Sequence, residues 1–144
     1  METLFLDTEF TAFDRPELIS LALVPEDDAV KPFYLENRWI SRKKASKFTI
    51  ERVIPLLTGP RAHEPDFTVR LCEYLSEIGN CRIIATLCMD FELLYRALGG
   101  FHGPPTNATY PSITCEIVSA QAEEYHHALQ DALALRKWYA RMAA

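Results

Sequence analysis

The chain has 144 residues, 49% apolar and 24% charged, the make-up of a single globular domain long enough to bury a core. A net charge of −5 is not the basic balance usual for nucleic-acid-binding domains. No apolar run approaches the length that crosses a bilayer, and the N-terminus lacks a basic segment leading into an apolar one, so neither a membrane span nor a cleaved signal peptide is expected.

The first apolar run, TLFLDTE, and the second, ELISLALV, are rich enough in aliphatic residues for buried strands, and KPFYLE reads as a third. FTAFDRP supplies the turn between the first two, with Pro16 as its breaker. A first helix is expected over much of Ala45 to Leu57, stopping before TGP. HEPDFTVRLCEYLSEIGN predicts a second helix: Pro65 suits its first turn, Phe67, Leu71, Leu75 and Ile78 recur at helical spacing, and Gly79-Asn80 ends it. CRIIATL is a buried strand, MDFELLYRALGG a short helix ended by Gly99-Gly100, and FHGPPTNATYPS a loop. ITCEIVS is open between strand and helix. The last helix is expected from near Tyr125 to near Met142, with Leu129, Ala132, Leu133 and Trp138 as core positions. Three leading strands suggest a meander, and a later strand reached through helices suggests a parallel addition to the same sheet. The expectation is one mixed α/β domain over residues 1–144. Cys72, Cys81, Cys88 and Cys115 are scattered with no CxxC pair, so free thiols in a cytoplasmic protein are expected rather than a zinc knuckle.

The first strand carries two carboxylates near its end. Asp7 and Glu9 are two apart, so on a strand they project from the same face, roughly 6–7 Å apart at the backbone. Two such acids repel, and burial raises that cost. Asp90 follows the strand RIIATL and begins a helix, where it suits either an N-cap or a ligand-binding position at a strand end. Asp131 lies among Leu129, Leu133 and Leu135, so it is either solvated or, facing inward, in need of a partner. Four carboxylates brought together suit two divalent ions such as Mg²⁺ or Mn²⁺, which prefer oxygen ligands and can promote in-line displacement at phosphorus. An acidic site neutralised by metal can receive a phosphate in spite of the net charge.

These motifs resemble those of the DEDDh exonucleases, a ribonuclease-H-like group that removes nucleotides from 3′ ends with two divalent metals. Asp7 and Glu9 match the Asp-x-Glu motif, Asp90 in ATLCMDFELLYRAL the second motif, and His126 with Asp131 in HHALQD the third, His, four residues, then Asp. The sister DEDDy group has Tyr, three residues, then Asp, and His127 stands in that Tyr slot here. FLDTEF followed by ELISLALV looks most like the small exoribonucleases of the RNase AS type, which are adenylate-preferring and usually homodimeric. The resemblance implies an α/β, ribonuclease-H-like mixed β-sheet flanked by α-helices. It implies a 3′–5′ exoribonuclease acting on single-stranded RNA 3′ ends, with Mg²⁺ as a pair of ions and Mn²⁺ as a substitute. Asp7 would bridge both ions, Glu9 and Asp131 would hold the one that activates water, and Asp90 would act through the outer shell or the second ion. His126 would be the general base.

Phe10 and Phe13 follow the first motif and suit base stacking or turn packing equally. RWISRKKASK holds five of the fifteen Lys and Arg and reads either as a solvated loop or as a phosphate-steering patch. Two other functions remain open: a DNA 3′–5′ exonuclease, and a nucleic-acid-binding module without turnover. Simple helical spacing pairs His127, not His126, with Asp131, because residues five apart lie about 140° apart around a helix. His126 fits the motif only if it precedes the helix.

Overall fold

Asp7 and Glu9 lie on β1 (Glu2–Phe10), at the centre of a six-stranded sheet. The computed structural model describes residues 1–101 and 110–144. β1, β2 (Leu18–Pro25) and β3 (Phe33–Asn37) form the expected antiparallel meander. A two-residue strand, β4 (Arg61–Ala62), adds to β3 in parallel. On the other side of β1 lie β5 (Cys81–Ala85) and β6 (Ile113–Ile117), both parallel to it, giving the order β4-β3-β2-β1-β5-β6. Within ITCEIVS, the first five residues therefore form a strand. The loop expected over FHGPPTNATYPS falls largely on 102–109, outside the described residues.

Strand alternation sorts the side chains of β1 to two cores. Leu4 and Leu6 pack against α1 (Glu64–Ile78) and α2 (Cys88–Leu98), with Phe67, Leu71, Leu75 and Leu94 in the same cluster. Phe5 faces the other way and meets Ala22, Val24 and Ile84 under α3 (Ala128–Ala143), which buries Ala128, Ala132 and Leu135. The small alanines let this helix lie close on the sheet. α1 ends at Gly79, whose φ of 81° lies in the left-handed region that glycine reaches without strain. No helix among the described residues is long and apolar enough to cross a membrane. All four cysteines are free thiols.

Two helix expectations need correction. In place of a regular helix over Ala45–Leu57, the chain makes a π-helical turn at Thr49–Val53 and a 3₁₀ turn at Ile54–Leu56. Pro55 explains this: without an N–H it cannot continue an i→i−4 ladder, and its ring crowds the preceding turn. The Ile54 N–H instead reaches back five residues to the Thr49 carbonyl. The last helix begins at Ala128, not near Tyr125, because His126 adopts a left-handed φ of 57° that breaks the helical run.

Candidate metal centre

β1, β5 and β6 run in parallel, so their C-terminal ends share one edge of the sheet. α3 also starts at that edge. Crevices outside the carboxyl ends of parallel strands are the usual ligand sites of such sheets. Here the crevice is a cavity of about 610 Å³, with Asp7, Glu9 and Asp131 in its lining and His126, Phe13 and Phe48 among its other walls.

Asp7 and Glu9 point to the α3 side, on the same face as Phe5. Their cross-strand neighbours on β2 are Ala22 and Ser20, small residues that leave room over the acids. A register irregularity between Glu9 and Phe10 bends the strand end beside them. Asp131, in the first turn of α3, comes down onto the pair. One carboxylate oxygen from each of Asp7, Glu9 and Asp131 lies within 4.8 Å of the other two.

The electrostatics are those of crowded acids. Burial raises the Asp7 carboxyl well above the ordinary range, and the charges of Asp90, Glu9, Asp131 and Glu124 raise it further. Burial, with the adjacent Asp131 carboxylate next, pushes Glu9 up to about 8. Asp131 is also raised by burial, with hydrogen bonds from the Tyr125 and His127 backbone acting against the shift. Asp7 Oδ2 is buried and has no hydrogen-bond partner among the described residues. An orphaned carboxylate oxygen among mutually repelling acids is the donor set a hard divalent cation would satisfy, so the residues fit the metal that their pattern implies.

Asp90 has a different setting. It is 1% exposed and lies behind β1, on the face of Thr8. Its Oδ1 accepts from the Thr8 hydroxyl at 2.7 Å and the Thr8 N–H at 3.2 Å, and its Oδ2 accepts from the Leu87 N–H at 3.3 Å. It is the third residue of α2 rather than its N-cap, and it reaches back to the N-cap Leu87 backbone. Burial pushes it up to about 6, against those hydrogen bonds. The three clustered ligand oxygens do not include one from Asp90, whose side chain ties β1 to the start of α2 next to Asp7.

His126 precedes the helix, as the motif spacing requires. His127 is the N-cap of α3, and its backbone carbonyl accepts from the Asp131 N–H at 2.9 Å. The Asp131 Oδ1 in turn accepts from the Tyr125 N–H at 2.5 Å, so one carboxylate holds the approach to its own helix. The His126 ring stands at the cavity edge, edge-on to Phe48 with centroids 4.9 Å apart. The His127 ring turns away and packs on Tyr34 at 4.9 Å. Phe10 and Phe13 meet at 5.1 Å in an edge-to-face pair; Phe10 packs against the core, whereas Phe13 is 76% exposed at the cavity rim.

Three features were not legible in the sequence. Phe48 falls within the helix expected over Ala45 to Leu57, and nothing local marks it as the neighbour of His126. Glu124 enters the cavity wall and raises both Asp7 and Glu9; its place two residues before His126 was the available signal. A buried polar group also lies beside the site: Glu36 accepts from the Tyr34 hydroxyl, the Gly59 N–H and Arg61. A Cβ on Gly59 would meet the Tyr34 ring at 2.5 Å, so that approach requires glycine.

Comparison with protein-family models gives no match, and no curated protein matches the sequence.

Proposed function

We propose that the protein is a metal-dependent 3′–5′ exonuclease of ribonuclease-H-like fold, acting on single-stranded RNA and releasing nucleoside 5′-monophosphates. The observation that carries the reading is the meeting of Asp7, Glu9 and Asp131 within 4.8 Å at the base of an open cavity, with Asp7 Oδ2 buried and unpartnered. The sheet order, with an antiparallel meander and two strands added parallel to β1, is compatible with such a fold. The three motifs named from the sequence supply the remaining support.

Asp7, Glu9 and Asp131 would hold the ions, and Asp90 would steady Asp7 from behind through Thr8. Bound there, divalent cations supply Lewis acidity for in-line displacement of a nucleotide by water. His126 stands at the cavity edge, where its imidazole can take the proton from the attacking water. Phe48 limits the directions in which that ring can turn. Phe13, exposed at the rim, offers a face to the terminal base, while Phe10 braces it. A binding module without turnover has no use for crowded, half-buried acids that repel one another, and this weighs against the non-catalytic alternative.

The test uses RNA and DNA of equal sequence, labelled at the 5′ or the 3′ end, incubated with Mg²⁺, Mn²⁺ or EDTA. The expected result is stepwise shortening of 5′-labelled RNA with mononucleotide release, abolished by EDTA. Shortening of DNA alone would move the reading to a DNA exonuclease. No cleavage of either polymer in any metal would overturn it.

A further inference from the structure

The cavity accounts for the acids of this protein but not for its most basic segment. Between residues 37 and 50 the sequence has no Asp or Glu, and it carries Arg38, Arg42, Lys43, Lys44 and Lys47. All five are exposed. Lys44 pairs with Glu17 at 2.7 Å and Lys47 lies 3.9 Å from Glu51, but Arg38, Arg42 and Lys43 have no carboxylate partner among the described residues. Trp39, in the same run, is 69% exposed and stacks its ring on His63 at 5.6 Å.

The segment is braced rather than loosely solvated. The Arg38 N–H donates to the Ala62 carbonyl, the Lys44 N–H to Ser41, the Ala45 N–H to Arg42 and the Ser46 N–H to Thr11. Ile40 packs into a small core with Ile19, Val53 and Leu57. Its far end becomes the cavity wall: Ser46, Phe48 and Thr49 line the cavity, and the Thr49 hydroxyl donates to the Phe10 carbonyl, one residue past Glu9. Unpaired cations and an exposed indole therefore stand on a fixed path that ends beside the carboxylates.

From this arrangement we infer that Arg38–Lys47 is a binding track for the backbone of a single-stranded nucleic acid, upstream of the nucleotide that enters the cavity, with Trp39 as a stacking face for a base. The inference deepens the exonuclease reading and rests on it for the direction in which the strand runs. A polyanion approaching the acidic floor needs compensating charge at the rim, and phosphate contacts provide it without reading sequence. Base stacking on an aromatic is likewise sequence-tolerant. The track would favour polymers over isolated nucleotides.

The test measures fluorescence anisotropy of short single-stranded RNA and DNA across a salt series, with Ca²⁺ in place of Mg²⁺, for the wild type and for Arg42→Ala/Lys43→Ala. The wild type is expected to bind with log K falling linearly against log[salt]. Removing two phosphate contacts should lower that slope by about 1.4, near 0.7 per contact on single strands. Added oligonucleotide should quench tryptophan emission in the wild type and much less in Trp39→Phe, because the other tryptophan, Trp138, is half-buried on α3 and packs toward the Phe5 and Val24 core. Binding of either sugar supports the track. A slope unchanged in the double variant, or capture by anionic phospholipid vesicles with no oligonucleotide binding, would overturn it. Wild-type hydrolysis of thymidine 5′-(p-nitrophenyl phosphate) with Mn²⁺ separates the two claims. If that ester and RNA both survive while oligonucleotide binds with the expected slopes, the catalytic reading fails and the track stands.

Discussion

Asp7 is held in the fold at a cost: it is half-buried beside Glu9 and Asp131, and its buried Oδ2 has no hydrogen-bond partner among the described residues. Asp7→Asn removes a charge from this group, so the metal-free variant is expected to melt at or above the wild-type temperature while losing turnover. A variant with near-normal Mg²⁺-dependent activity would contradict Asp7 as a ligand. The pH dependence follows from the same crowding. Glu9 titrates near 8 in the fold instead of 4.5, so between those values the folded state keeps protons that the unfolded chain has released. Metal-free stability is therefore expected to fall as pH rises from about 4.5 to 8, and less steeply in Glu9→Gln. Thermal melts across that range check it; a flat or rising profile would contradict the assignment. The two histidines separate cleanly. His126→Ala should lower kcat by about 10²–10⁴-fold with metal binding nearly unchanged, as for loss of a general base. His127→Ala removes the ring stacked on Tyr34 and should cost about 0.5–1.5 kcal/mol of stability with far less effect on kcat. The reverse ranking of the two in kcat would overturn the motif register.

At the scale of elements, β1 does two jobs through its alternation. One face sends Leu4 and Leu6 to the core under α1 and α2; the other sends Asp7 and Glu9 to the cavity. Thr8 lies between them and meets Asp90 on the core side. Asp90→Ala would strand the Thr8 and Leu87 donors in a buried setting, costing about 2–4 kcal/mol even without metal. Asp7→Asn carries no such loss, and paired denaturant melts of the metal-free variants distinguish the two; equal stability would contradict the structural role of Asp90. β1, β2, β3, β5 and α1 were legible in the sequence because aliphatic runs, Pro65 and Gly79 act locally, whereas the two-residue β4 carries no such run and ITCEIVS was open between strand and helix. The same-face placement of Asp7 and Glu9 followed from period two alone. The 49–56 segment and the start of α3 were not legible, because helical propensity there is overridden by Pro55 and by the left-handed turn at His126. Nor did the sequence reveal that Asp90 faces Thr8, since that depends on how α2 docks against β1.

Across the whole molecule, a net charge of −5 hides a division of labour. Acids gather at the edge where β1, β5, β6 and α3 meet, while Arg38, Arg42 and Lys43, without a carboxylate partner among the described residues, lie on the segment that leads to the cavity wall at Ser46. A cation held by Asp7, Glu9 and Asp131 would relieve their repulsion and bind only the folded protein, so it should stabilise it by mass action. The effect should grow with pH, because the ligands must shed their protons first. The most direct measurement is a calorimetric titration of Mn²⁺ into the wild type and Asp7→Asn at pH 8. The structure predicts saturable binding in the wild type, with Asp7→Asn binding at least tenfold more weakly. Identical isotherms, or no saturable binding in the wild type, would contradict a metal centre at these carboxylates.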